Sequence, residues 1–386
     1  MTTASRAASV ARVVVAFGTR PEASKMAPVV HALERHPALE PYLLVTGQHR
    51  EQLDRMLSVF ALTPHADLAL MRPGASLADA FGRMVPAAAA ALRAAQPAYV
   101  LVHGDTLTTL AVALAAFFEG LPLAHVEAGL RSFDLREPFP EEASRRLADV
   151  VTDLDLPPTA LAREHLLREG KPAERMVVTG NTAIDAVRWA ERRAALPAHL
   201  PRGRPLVALT LHRRENLPYL ADIAMVLAAT ARAFPEHVFV YPMHRNPAVR
   251  AAVVPALAEL PNVLLEDDWD YLAMLALVRE ARLVITDSGG LQEEGAALRT
   301  PVAVVRNVTE RPEGVAAGTL RLLGNDPGRL AVALPELLGD EAALERMRAA
   351  PNPYGDGHAG ERVAAAVAWR LGLGPRPDDW LAQPSP

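Results

Sequence analysis

A chain of 386 residues is long enough for two domains. Its 40 Lys+Arg against 45 Asp+Glu leave a net charge of -5, which argues against broad binding of nucleic acid or of an anionic membrane surface. It contains no cysteine, which excludes disulfides, thiolate nucleophiles and cysteine zinc sites and fits a cytoplasmic enzyme.

Residues 1–10 are small and polar, and the apolar run after them has the length of a strand, so no targeting segment is expected. Ala-rich stretches such as 85–92 stop at Arg93, short of the roughly 20 apolar residues that a membrane span needs. Short apolar runs then alternate with amphipathic stretches. Strands are predicted at 12–17, 42–46, 68–70, 99–103, 123–126, 153–156 and 176–179, then at 206–211, 238–242, 263–265, 283–287, 301–305 and 320–323. This rhythm predicts an α/β protein with parallel sheets covered by helices on both faces. Thirteen strands exceed one twisted sheet, and 195–205 reads as a linker. The expectation is two Rossmann-like, doubly wound domains facing a cleft. They are assigned to residues 1–182 and 183–365, with a C-terminal helix at 366–386 returning to the first.

In such sheets ligands sit outside the carboxyl ends of the strands, so the residues that follow each strand carry most information. The first strand runs into Gly18-Thr19-Arg20-Pro21-Glu22, with Lys25 one turn later. Glycine lets backbone approach a ligand, and Arg20 and Lys25 at a helix start suit a phosphate better than they suit the helix dipole. Neither G-x-G-x-x-G nor G-x-x-x-x-G-K-[ST] occurs, so a nicotinamide dinucleotide fingerprint and a P-loop are both unsupported. Thr46-Gly47-Gln48-His49-Arg50 follows the next strand, where a solvated turn is the simpler reading. Asp105 closes His103-Gly104-Asp105 and is equally suited to cap the following helix. Glu127, directly after a buried strand, has no such structural reason. Glu141, behind Pro138-Phe139-Pro140, suits either chemistry or the dipole of the next helix.

In the second half, His212 ends a strand and could serve as acid, base or phosphate partner. Thr286-Asp287-Ser288-Gly289-Gly290 joins a strand to a helix behind an expected Asp-Ser cap, a natural anion site. Glu294 one turn on could take the hydroxyls of a ribose, and Arg311 follows a further strand. Together these features favour a nucleoside diphosphate.

The ordered set Gly18-Thr19-Arg20-Pro21-Glu22, Thr46-Gly47-Gln48-His49, His103-Gly104-Asp105-Thr106, His125-Val126-Glu127-Ala128-Gly129-Leu130-Arg131, Pro140-Glu141-Glu142, His212-Arg213-Arg214-Glu215-Asn216, Asp287-Ser288-Gly289-Gly290 and Glu310-Arg311-Pro312-Glu313 resembles the non-hydrolysing UDP-N-acetylglucosamine 2-epimerases. The match runs from residue 12 to about residue 365. The resemblance implies a glycosyltransferase-B fold, a homodimer, and interconversion of UDP-GlcNAc and UDP-ManNAc without metal or cofactor. By the same resemblance, Asp105, Glu127, Glu141 and His212 are catalytic. Arg20, Lys25, Met274, Ser288, Gly289, Gly290, Glu294 and Arg311 hold UDP, and Gln48 and His49 belong to an allosteric site for a second UDP-sugar. Three positions depart from the family pattern: Leu107, Leu211 and the pair Gly74-Ala75.

The chemistry explains the residue types. C2 of the sugar bears an acetamido group and no neighbouring carbonyl, so its proton is not acidic enough for direct removal. Loss of UDP from C1 with the C2 proton gives a 2-acetamidoglucal, and re-addition from the other face inverts C2. Carboxylates near the sugar, and cations with helix N–H groups at the diphosphate, serve such a path. A hydrolysing epimerase releasing ManNAc and UDP, a 2-epimerase for a diacetamido uronate, a UDP-sugar glycosyltransferase and a non-catalytic UDP-sugar sensor are the alternatives.

Overall fold

The computed structural model describes residues 10–47, 50–70 and 74–382, so Gln48, His49 and Met71 lie outside the described residues. Chain contacts divide it into two units: one runs to Ala186 and resumes at Gly355–Leu381, and the other takes Val187–Tyr354.

In the first unit β1 (Ala11–Phe17), α1 (Arg20–Arg35), β2 (Leu39–Val45), α2 (Arg50–Val59), β3 (Ala66–Asp67), α3 (Leu77–Ala95), β4 (Tyr99–His103), α4 (Leu107–Phe118), β5 (Leu123–Val126), α5 (Glu141–Val151), β6 (Leu154–Leu156) and α6 (Ala160–Arg168) alternate. Helix α7 (Thr182–Ala190) follows. The second unit continues with β7 (Leu206–Thr210), α8 (Leu220–Ala233), β8 (Val238–Pro242), α9 (Pro247–Leu257), β9 (Val263–Glu266), α10 (Tyr271–Glu280), β10 (Ala281–Thr286), α11 (Gly289–Ala297), β11 (Val302–Val304), α12 (Pro312–Ala317), β12 (Leu320–Leu322), α13 (Pro327–Gly339) and α14 (Glu341–Ala349). Helix α15 (Ala359–Arg370) belongs to the first unit.

Both sheets are parallel and six-stranded, in the orders β3-β2-β1-β4-β5-β6 and β9-β8-β7-β10-β11-β12. Each is the doubly wound order in which strand direction of travel reverses between the first and fourth strands, so each has one switch point: β1/β4 and β7/β10. The registers Val15↔Leu101 and Ala208↔Val284 hold those central pairs together. Their strands read Val-Val-Val, Val-Leu-Val and Leu-Val-Ala because both faces are covered. Val13, Val15, Val100 and Leu101 are fully buried in the first unit, and Val207, Phe239, Leu283 and Ile285 in the second.

The α/β expectation and both Rossmann-like sheets are present, with three local corrections. The strand expected at 68–70 lies at Ala66–Asp67, and 176–179 is no strand: Met176 makes a single bridge to Asp155. The peptide of Val178 is taken instead by the C-terminal segment, donating to Asp379 (2.8 Å) and accepting from Trp380 N–H (2.7 Å). The last helix is also earlier than 366–386, because Gly372 turns with φ 71° and Pro375 and Pro377 cannot continue it. α15 lies tightly on α1: a Cβ on Gly360 would stand 2.6 Å from the Pro28 carbonyl oxygen.

Asp185 anchors the start of α15 by accepting the Gly360 N–H at 2.8 Å, where the N-cap His358 offers no side-chain bond. Burial lifts the Asp185 carboxyl to about 6, against the opposing pull of the Gly360 and Ala359 N–H groups. The folded chain therefore holds a proton that the unfolded chain has released, and stability falls as pH rises from about 4 towards that value. Asp185→Asn is expected to flatten urea-unfolding stability across this window by on the order of 2 kcal/mol, whereas an unchanged pH profile would mean that Asp185 does not titrate there.

Candidate active site

At the first switch point the loops after β1 and β4 are tied together by a buried carboxyl. Glu22 accepts the Gly18 and Thr19 N–H groups (3.0 and 2.8 Å) and the Thr106 hydroxyl (2.7 Å). Burial pushes its pKa up, against these hydrogen bonds. Gly18 is obligatory here, since a Cβ would meet the hydroxyls of Thr46 and Thr108 at 2.3 Å each. The result aims α1 so that Lys25 points at the end of β5, where it pairs with Glu127. Both side chains are only 9% exposed. Asn181 Nδ2 donates to the same Glu127 oxygen at 3.2 Å, and His103 Nε2 lies 3.8 Å from it. Burial, then the nearby Lys25 charge, holds His103 down at about 4 despite Glu127, so its ring is neutral near pH 7.

Glu127 has φ 68°, a left-handed conformation that costs a non-glycine residue about 1–3 kcal/mol and concentrates at functional sites. Its N–H stays in the ladder, donating to Leu156 O at 3.1 Å.

Asp105 is not the cap of α4. Thr106 is, accepting the Thr109 N–H at 3.2 Å, which leaves the Asp105 carboxylate to pair with Arg145 of α5. Arg145 also donates to Glu142 (3.3 Å), whose carboxylate accepts the Ser132 and Phe133 N–H groups. Glu141 opens α5, partly buried, one turn before Arg145. Arg20 is the exposed first residue of α1.

The second unit holds a separate group. The expected Asp-Ser cap is absent: Ser288 makes no side-chain cap to α11, and Asp287 turns away to accept the N–H groups of His212 (3.0 Å) and Arg213 (2.9 Å) and the Asn216 amide (3.0 Å). The loops after β7 and β10 are thereby locked at the second switch point. His212 is about a third exposed, its Nδ1 3.6 Å from Asp287, and its ring stacks on His244 at 5.2 Å between centroids. Arg311 lies over the start of α11, where a Cβ on Gly289 would meet its guanidinium at 2.7 Å. Glu293, fully buried, holds Arg311 Nε at 2.6 Å. Burial alone would raise Glu310, but Arg311 and Arg306 hold its carboxyl at about 2. Glu294 and Met274 are partly buried, on α11 and α10. First-turn N–H groups without a side-chain cap, beside a fixed guanidinium, suit a phosphate.

A family model described as UDP-N-acetylglucosamine 2-epimerase matches residues 31–368. The chain belongs to this family. UDP-N-acetylglucosamine 2-epimerase of Salmonella typhimurium is 44% identical over 375 residues, covering 94% of this chain and all of that one. Among solved structures, the S. aureus MnaA–UDP co-structure superposes with a TM-score of 0.89 at 40% identity, over 96% of this chain and 100% of that one. The Neisseria meningitidis UDP-GlcNAc 2-epimerase bound to UDP-GlcNAc gives 0.88 at 37% identity, over 94% and 100%.

Within this family member, the structure joins Lys25 to Glu127 and gathers Ser288, Gly289 and Arg311, while Asp105 is drawn to Arg145 and His212 to Asp287. His103, Arg145, Asn181, Asp287 and Glu293 join these groups without being expected from the sequence. Arg145 had a usable signal, four residues after Glu141 and so on its helical face. Asn181 had none, because its position depends on how residues 157–180 fold. Of the departures from the family pattern, Leu211 is 1% exposed in the second core and adds no bulk to the ligand side, and Leu107 is the partly buried first residue of α4.

Lys25→Met strands a buried carboxylate without its ammonium partner and is expected to cost about 3–5 kcal/mol in urea unfolding. Adding Glu127→Gln should recover part of that loss; strictly additive losses would mean that the two charges are not coupled.

Proposed function

We propose that the protein interconverts UDP-GlcNAc and UDP-ManNAc by the non-hydrolysing route, without net consumption of water. In the forward half, the C2–H bond breaks as its electron pair forms C1=C2, and the C1–O bond breaks with its pair leaving on UDP. A carboxylate takes the C2 proton. In the return half, a proton reaches C2 from the opposite face and the diphosphate oxygen closes on C1. The residues divide accordingly: Asp105, Glu127 and Glu141 serve the sugar, and His212 the diphosphate. Arg20, Lys25, Ser288, Gly289, Gly290 and Arg311 neutralise departing UDP, with Glu294 at the ribose and Met274 at the uracil. Gln48 and His49 remain the proposed allosteric positions.

The observation that carries this reading is Glu127: a carboxylate held in a strained backbone, buried, and directed onto a lysine and an amide at the carboxyl end of β5. A capping or solvated Glu needs none of this. The protein is proposed to work in the cytoplasm as a homodimer. Exposed Phe117 and Phe118 at the end of α4, with exposed Leu147 and Val150 on the adjoining α5, support a second copy there. No helix among the described residues is long and apolar enough to cross a membrane.

Incubation with UDP-GlcNAc in deuterated water is expected to place deuterium at C2 of intact UDP-ManNAc. Free ManNAc would instead identify the hydrolysing class, and unchanged substrate would exclude both. Glu127→Gln is expected to abolish exchange at C2 while leaving UDP affinity, measured by calorimetry, within about threefold. Loss of UDP binding would make Glu127 structural.

A further inference from the structure

Behind the carboxylates lies a second charged chain that the reaction as proposed does not use. His125, on β5 two residues before Glu127, is completely buried. Its Nε2 lies 2.6 Å from the Gly104 carbonyl oxygen, and its Nδ1 lies 2.5 Å from Asp149 Oδ1 on α5. The other Asp149 oxygen accepts from Arg131 at 2.5 Å, and Arg131 reaches Glu169 at 2.7 Å.

A carbonyl can only accept, so Nε2 carries a proton. Asp149 is ionised, since Arg131 is paired with it; its pKa is lowered by His125 and Arg131, although burial opposes this. Nδ1 must then carry a proton as well. We infer that His125 is an imidazolium at neutral pH that positions Asp105 and Glu127, a positioning residue for the proposed epimerisation.

The connections to both carboxylates are short. Gly104 has φ 65° and immediately precedes Asp105, so the His125–Gly104 bond holds the turn from which the Asp105 carboxylate departs. On α5, Asp149 stands four residues after Arg145, so one helical face supplies Asp149 to His125 and Arg145 to Asp105. Gly104 N–H closes the ring onto Val126 O at 2.9 Å, next to Glu127. A neutral imidazole has only one N–H and releases either Gly104 or Asp149.

The groups facing His125 come from all its neighbours. Asp149 lies on α5 and Arg131 on the loop after β5; Asp155 on β6 has a carboxyl lifted to about 7 by burial and by Asp149 and sits 3.0 Å from Lys171, and neutral His103 is on β4. Burial opposes the His125 charge, but Asp149 and the Gly104 carbonyl outweigh it and raise the pKa. The sign follows: the contribution is complete below the unfolded value of about 6.5 and is lost as pH rises through the higher folded value. An alkaline fall in kcat is the expected consequence.

The test uses the full chain with selectively ¹⁵N-labelled histidine, and it rests on the epimerase reading only in its kinetic arm. At pH 7 both His125 ring nitrogens should show the protonated signature, with the resonance assigned by its loss in His125→Gln or its shift in Asp149→Asn. A neutral ring at pH 7 overturns the inference whatever the enzyme does. In the kinetic arm, folded His125→Gln should lose about 10- to 100-fold in kcat, as supports behind functional side chains do, with KM nearly unchanged and the alkaline limb displaced. A variant with parental kcat and pH profile overturns the positioning role. If the parent itself does not convert UDP-GlcNAc, the functional reading fails while the ring's charge is still measured.

Discussion

Removing a lysine and a glutamate from water together is worthwhile only if they stay in contact, and several contacts in the first unit keep Lys25 on Glu127. Glu22 ties the β1 and β4 loops so that α1 carries Lys25 inward, and the left-handed turn at Glu127 brings the carboxylate to meet it. Asn181 closes the remaining side. An ion pair of this kind is weak evidence for stability, since apolar residues of the same volume would often serve folding as well. The strained backbone under one partner adds a further cost.

The second unit solves a different problem with the same topology. There the switch point is locked by one buried acceptor, Asp287, which collects three donors from the loop after β7. Asp287 is occupied in this way and Ser288 does not cap, so α11 starts without a side-chain cap beside Arg311. The carboxylates thus gather in one unit and the diphosphate-suited groups in the other, apart from Arg20 and Lys25.

The strands were readable because parallel strands buried on both faces are short apolar runs: 99–103, 123–126 and 238–242 match residue for residue. The segment 176–179 misled for the same reason. It is apolar and buried, yet it makes a single bridge, Met176 to Asp155, and the Val178 peptide is claimed by Asp379 and Trp380, some two hundred residues away. Among site residues, the identity of Glu127 could be suspected from its place after a strand, whereas its partners could not. Lys25 lies 102 residues from Glu127 and Asn181 lies 54, and nothing local relates them.

The sequence by itself determined the α/β class, the alternation of elements, the loops that carry charge and, through ordered motifs, the family. These are local properties: periodicity, turn residues and spacing are written along the chain. Only the tertiary structure decided what each charge does. Asp105 looked like a cap until Thr106 took that place and Arg145 claimed the carboxylate. Asp287 looked like a cap until it proved to be the clasp between two loops. His125 was one letter in a motif until burial between a carbonyl and a paired carboxylate required both of its nitrogens to be protonated. A side chain's protonation and partners depend on what surrounds it in space, and for Glu127, with Lys25 as for the rest, those surroundings are assembled from distant parts of the chain.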